Sequence, residues 1–158
     1  MDRIRDYYLA QGYEKSYKWA HFPDTPFTSL TKPLAESRVT LLSTSDVSVV
    51  REDEEPLSDE EMTVGAVYSI PWSTPSSALY SRQESYDRHA TNLDDVNAYL
   101  PITRLQELER DGVIGGVTRH FHNVNRGYSK RLMMETAAPA ALARCREDRA
   151  DLALLVPV

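Results

Sequence analysis

Four histidines, a single cysteine and a Ser-Thr-Ser run are the groups of this sequence best suited to proton transfer, nucleophilic attack or ligand binding. His89, two residues after Asp87, and His120, two residues before His122, belong to the residue type that titrates near neutrality and can hand a proton to a departing amine. A structural role is the alternative for each of them. Asp87, His89, His120 and His122 also offer the nitrogen and oxygen donors that zinc or iron accepts, but neither an H-E-x-x-H motif nor a cysteine pair organises them, so no metal site is assigned. Cys145 stands between Arg144 and Arg146, and cations favour a thiolate. Three residues after Leu142 on an expected helix, it reads instead as a small side chain packing inward. Ser43, Thr44 and Ser45 present hydroxyls and amides where a strand ends, a place for a carboxylate. Arg38, Arg119 and Arg126 can clamp a carboxylate bidentately, against the default of surface arginine. Serine-hydrolase and phosphate-loop motifs are absent.

The elements that must position these groups follow from periodicity and punctuation. Residues 1–22 hold aromatic and apolar side chains among charges, interrupted by Gly12, and predict an N-terminal helical segment of one or two short helices. Three prolines between Pro23 and Pro33 predict a loop. Arg38 to Thr44 is β-branched and apolar, then turns polar, as a strand buried in a parallel sheet does. Residues 46–64 are expected to form a solvated acidic loop, because so many like charges cannot share a buried face. Val64 to Ile70 and Ala78 to Tyr80 are short candidate strands. Leu100 to Gly112 predicts a helix, with Thr103 and Gln106 as a capping box and Gly112 as the stop. Val117 to Phe121 is a further candidate strand. Ser129 to Asp148 predicts a helix broken or kinked at Pro139, and Leu152 to Val156 a central parallel strand. The alternation of strand and helix makes this a single α/β domain over 1–158, with a layered, mostly parallel sheet, flanking helices and a core strand at its end.

Composition narrows the classes. The chain is 41% hydrophobic, 27% charged and 9% aromatic, which fits an ordinary soluble fold. Its net charge of −6 comes from one place: removing the seven carboxylates and one arginine of residues 51–61 leaves 17 acidic against 17 basic residues. No basic excess exists to release counterions from phosphates, so a nucleic-acid partner is not expected. No apolar stretch approaches the roughly 20 residues of a membrane span, and no apolar h-region follows the charged N-terminus, so no membrane association and a cytoplasmic location are expected. One cysteine makes neither an internal disulfide nor a structural zinc site.

The string PFTSLTKPLAESRVTLLSTSDV (Pro26 to Val47), the string SYDRHATNLDDVNAYLPITRLQELERDGVIGGV (Ser85 to Val117), Arg119 with His120, Gly127 with Tyr128, and the ending DLALLVPV resemble the selenoprotein B family over roughly residues 19 to 158. That family comprises the substrate-processing component of glycine, sarcosine and betaine reductases and the related D-proline reductase subunit. The resemblance implies reductive cleavage of a carbon–nitrogen bond, by a selenocysteine or cysteine that follows the proline-containing end of the last strand. The chain carries no such residue after Val158, which leaves either a selenocysteine codon read as a stop or a naturally short subunit. It also implies that Asp87, His89 and His120 lie near the substrate pocket, and that the pyruvoyl group of these reductases sits on a different subunit, so no cofactor is expected here. Family members tend to have glycine where this chain has Ser45 and Asp46.

The expectation is therefore a subunit of a reductase-like complex acting on a small amino-acid-like substrate, with its redox centre outside the chain. His89 and His120 are the expected catalytic contacts, and Asp87, Ser43, Thr44 and Arg119 the expected substrate-binding ones. An apolar terminal strand predicts a homo-oligomer or a partner subunit. The alternative is a catalytically silent binding or scaffolding subunit of a heteromeric enzyme.

Overall fold

In the computed structural model, which describes residues 2–15, 23–51, 57–84, 86, 89–90 and 92–158, the run Arg38–Ser43 forms the first strand and is buried at every position but its first. The strands are β1 (Arg38–Ser43), β2 (Val47–Val49), β3 (Val67–Pro71), β4 (Leu79–Ser81), β5 (Gly116–Val117), β6 (His120–Val124) and β7 (Leu152–Val156). The helices are α1 (Asp2–Ala10), α2 (Asp59–Met62), α3 (Ile102–Arg110), α4 (Lys130–Leu132) and α5 (Ala138–Glu147). The protein is thus mixed α/β, with a mostly parallel five-stranded sheet and a two-stranded antiparallel sheet of β2 and β4.

β1 organises the larger sheet. One of its sides carries β7 in parallel, from Val39 opposite Leu152 to Ser43 opposite Val156. Its other side carries β5 and then β6, both parallel, and β3 completes the sheet antiparallel to β6. The single strand expected over Val117 to Phe121 is two short strands. Between them Thr118 donates its backbone N–H to Val39 and its hydroxyl to the His120 carbonyl, 2.7 Å away, which sets the chain back into the ladder two residues later. Gly115 lets β5 approach: a Cβ there would stand 2.4 Å from the Glu36 carbonyl carbon and 2.7 Å from the Ser37 nitrogen.

Successive residues of β1 point to opposite sides, as the strand period requires. Val39 and Leu41 join Phe121, Tyr68, Ile70, Trp72, Leu100 and the α3 residues Ile102 and Leu105 in the main core. Trp72 and Phe121 meet edge to face at 5.5 Å. Leu42 points the other way, into a smaller cluster with Val67, Ala141 and Cys145, where α5 rests against β3 and β6.

Four expectations are corrected here. β7 is not a central strand: β1 is its one neighbour among the described residues, so it forms an edge, and Leu152 to Leu155 are exposed. An apolar run reads the same in sequence whether a sheet covers it or leaves it open. Residues 46–64 are not simply a solvated loop, since they contain β2 and α2; residues 52–56 lie outside the described part. Glu61 is buried at 5% exposure, because Ser48, Ser58 and Arg51 all donate to its carboxylate. Thr103 does not cap α3. It lies inside the first turn, and Asn97 reaches in to accept both the Thr103 backbone N–H and its hydroxyl. Pro139 does not break the helix, because a π-turn over Met133–Ala137 comes just before it and leaves the proline in the first turn of α5, where its missing N–H costs nothing. The N-terminal segment yields α1, ending before Gly12, whose φ is +90°; α1 buries no side chain, and residues 16–22 lie outside the described part.

Candidate functional site

The carboxyl ends of β1 and β7 open onto the face of the sheet that α5 partly covers. Between them lies an apolar groove of about 520 Å³, lined by Leu42, Val124, Ala141, Cys145, Leu155 and Met133 among others, and reached by Ser43 and Thr44 at the end of β1. Ligands of open α/β sheets gather at this edge, and the volume suits a small molecule. The π-turn Met133–Ala137 contributes Met133 and Ala137 to the wall. It shifts the hydrogen bonding by one residue, so that Ala138 donates to Met133.

The hydroxyls at the groove are already engaged. Ser43 donates to the Tyr99 carbonyl at 3.0 Å and lies 2.8 Å from the Ser45 hydroxyl, which ties the end of β1 to the segment leading into α3. Thr44 accepts the Val158 N–H at 2.9 Å, extending the β1–β7 pairing past the last strand residue. Asp46 has a φ of +49°, the left-handed conformation that glycine adopts freely. Arg126 pairs with its carboxylate at 3.3 Å, so the guanidinium expected to clamp a substrate closes this turn instead.

Beside the groove, under the end of α5, four polar side chains form a chain of contacts. Asp148, which follows the last residue of α5, accepts the backbone N–H of His120 at 2.9 Å and stands 3.0 Å from His120 Nδ1. A carboxylate can only accept, so Nδ1 carries the proton and Nε2 is left as the reactive nitrogen. The His120 side chain is 26% exposed, enough for a ligand to reach it. His122, two residues along β6, is buried at 1% and meets the Ser69 hydroxyl through Nδ1 at 2.9 Å. Its Nε2 has no hydrogen-bond partner; the closest acid oxygen, on Asp148, is 3.8 Å away. Burial, against the pull of Asp148 and with help from His120 and Arg144, lowers the His122 pKa from 6.5 to about 4, so this ring is neutral at pH 7.

Groove and polar chain share residues of one helix and one strand pair. Cys145 lines the groove three residues before Asp148, and Leu42 lines it while standing opposite His122 in the sheet. Burial raises the thiol pKa of Cys145 above its usual value, so the cysteine at the groove is a packing residue and not a poised nucleophile.

Of the expected site residues, the structure brings Ser43 and Thr44 to the groove and His120 to Asp148. His89 is exposed in a turn, and neither histidine lines the groove. Arg119 is exposed and offers its carbonyl to the Trp72 N–H. Asp87 lies outside the described residues. Asp148 and Ser69 escaped sequence reading because their partners lie 28 and 53 residues away, and nothing local marks them. Among the described residues no cluster of three or more metal-ligating side chains occurs, and no helix is long and apolar enough to cross a membrane. The chain has no significant match among family models, curated proteins or solved structures.

Proposed function

We propose that this chain is the substrate-holding subunit of a reductase-like complex that cleaves a carbon–nitrogen bond in a small amino-acid-like molecule, the reducing thiol or selenol being supplied from outside residues 1–158. The observation that carries the reading is an apolar groove at the carboxyl ends of β1 and β7, with a carboxylate-held histidine at the start of β6 under the same helix. In this reading the groove takes the carbon part of the substrate, and α3 and α5 form layers on opposite faces of the sheet. An external thiolate or selenolate forms the new bond to carbon, the C–N pair departs on nitrogen, and His120, oriented by Asp148 and carrying a second proton on Nε2, gives that proton to the leaving nitrogen where that nitrogen is not fully methylated. His89, Asp87 and Arg119 belong to the same site in this proposal, as contacts for the polar end of the substrate.

A silent binding subunit is the second reading. One observation favours it: the thiol at the groove is held protonated by its burial. Methyl-detected NMR separates the two. With glycine, sarcosine, betaine and D-proline as probes, the proposal predicts shifts confined to Leu42, Val124, Ala141 and Leu155 and to the His120 ring. Shifts at the groove methyls with an unmoved His120 ring select silent binding, and no shift with any probe removes the substrate-holding role.

A further inference from the structure

The outer side of β7 is the least protected surface of the sheet. Its five residues are Leu, Ala, Leu, Leu and Val, with no charge and no proline among them, although edge strands usually carry such guards. Leu154 is 40% and Leu155 67% exposed, on opposite sides of the strand.

The hydrogen bonding fixes which groups face outward. Val156 uses its carbonyl to accept the Thr44 N–H, so Val156, Leu154 and Leu152 turn their backbone groups to β1. By alternation, Ala153 and Leu155 turn theirs to the open edge, where among the described residues no strand pairs with them.

We infer that this edge is the seat of a two-fold dimer, in which β7 pairs antiparallel with β7 of a second copy about an axis at Leu154. Such a register lets Ala153 and Leu155′ exchange both backbone hydrogen bonds, and Leu155 and Ala153′ likewise. Leu154 then meets Leu154′ as the central pair without hydrogen bonds. The strand is complementary to itself in size: on the groove side the large Leu155 falls opposite the small Ala153′, and on the other side Leu152 falls opposite Val156′. It is also compatible in charge. Asp151, the acidic residue just before the strand, comes opposite Pro157′, and Lys32 already neutralises it at 2.7 Å. A foreign strand would need no such match between the two halves of β7. An isologous contact requires it.

Sedimentation of the full chain at about 100 μM, where a micromolar Kd gives mostly dimer, is the test. Twice the chain mass is expected, with a monomer for Leu155→Lys and for Ala153→Pro, which removes an outward N–H and leaves the β1 pairing intact. Circular dichroism of both variants should match the parent, because both positions are exposed. Tyr128→Lys, at an exposed aromatic outside β7, should leave the dimer unchanged. In a Cys145→Ala background, Leu154→Cys should form a disulfide with itself under mild oxidant, since central pairs of this type have Cα atoms about 4.5 Å apart. A monomeric parent chain overturns the inference, as does a dimer that survives both edge variants. Edge-dependent dimers that fail to cross-link at position 154 overturn the two-fold register, and so the occupant proposed.

Discussion

The carboxylate of Asp148 accepts the backbone N–H of His120 at 2.9 Å and holds Nδ1 of the same residue at 3.0 Å. Two anchors on one side chain fix both where β6 begins and how its first ring is turned. The helix end and the strand start are therefore coupled, and the histidine nominated for proton transfer has one nitrogen committed to the protein and one left for a ligand.

Asp148→Ala is predicted to lower stability by about 2 kcal/mol, because it strands two donors of His120 in a part-buried place. Urea denaturation at pH 7 reads this directly. Asp148→Asn, which retains an acceptor oxygen for one of the donors, should cost less, and equal losses for the two variants would contradict the assigned hydrogen bonds.

Stability should fall between pH 6.5 and pH 4. His122 has its pKa lowered to about 4 by burial, so over this window the unfolded chain binds the proton that the folded chain refuses, and folding weakens as pH drops. The full effect is on the order of 3 kcal/mol. Denaturation midpoints at pH 7, 5.5 and 4 should show it, and His122→Gln should flatten that part of the profile. A parent profile flat from pH 6.5 to 4 would refute the neutral buried ring.

Glu61 acts in a lower window. Burial raises its pKa, but hydrogen bonds from the Ser58 backbone, Ser48, Arg51 and the Ser58 hydroxyl outweigh this and bring it down to about 2. Its contribution is present above the ordinary value of 4.5 and is lost as pH falls towards 2. Glu61→Ala leaves Arg51 and two serines without their acceptor, and should cost about 3 kcal/mol at pH 7 by chemical denaturation. A cost no larger than that of Glu60→Ala, an exposed neighbour, would show that the network adds nothing.

Gly115→Ala should destabilise by about 2 kcal/mol, since the added methyl meets backbone at 2.4 Å and backbone cannot swing aside as a side chain can. Gly112→Ala is the control for space, because a Cβ there meets nothing within 4 Å and only the φ of +70° opposes it. A thermal melt in which Gly115→Ala matches the parent would remove the close approach of β5 to the segment before β1.

Much of the frame was legible in the residues themselves. Arg38 to Ser43 and Leu152 to Val156 are the most continuous β-branched and apolar runs, and they pair in register as parallel neighbours. What the runs could not reveal was coverage. Whether Leu155 meets a helix or solvent depends on where α5 ends up, and that is decided by the Ala137, Ala141 and Cys145 side of the helix packing on Leu42 and Val67 instead of on β7. The candidate site divides the same way. Ser43 and Thr44 were picked out by type and by their place at a strand end and His120 by its type, whereas Asp148 looked like one more charge in Arg144 to Arg149. Glu61 was hidden by its neighbours: six other carboxylates in the stretch made a solvated loop the natural reading, and only the three-dimensional meeting with Ser48 and Arg51 sets it apart.

The central claim is that the chain holds substrate while the reducing group comes from elsewhere, and turnover by the isolated chain tests it most directly. Ammonia or amine release from glycine, sarcosine and betaine, and the ring-opened amino acid formed from D-proline, should be measured with dithiothreitol as reductant, first with residues 1–158 alone and then with a thiol- or selenol-bearing partner added. The account predicts no release by the chain alone, and release with the partner that falls at least 100-fold in His120→Ala but survives Cys145→Ala. Turnover by the chain alone that disappears in Cys145→Ala would contradict it, by placing the reducing thiol inside the very groove where burial now holds it protonated.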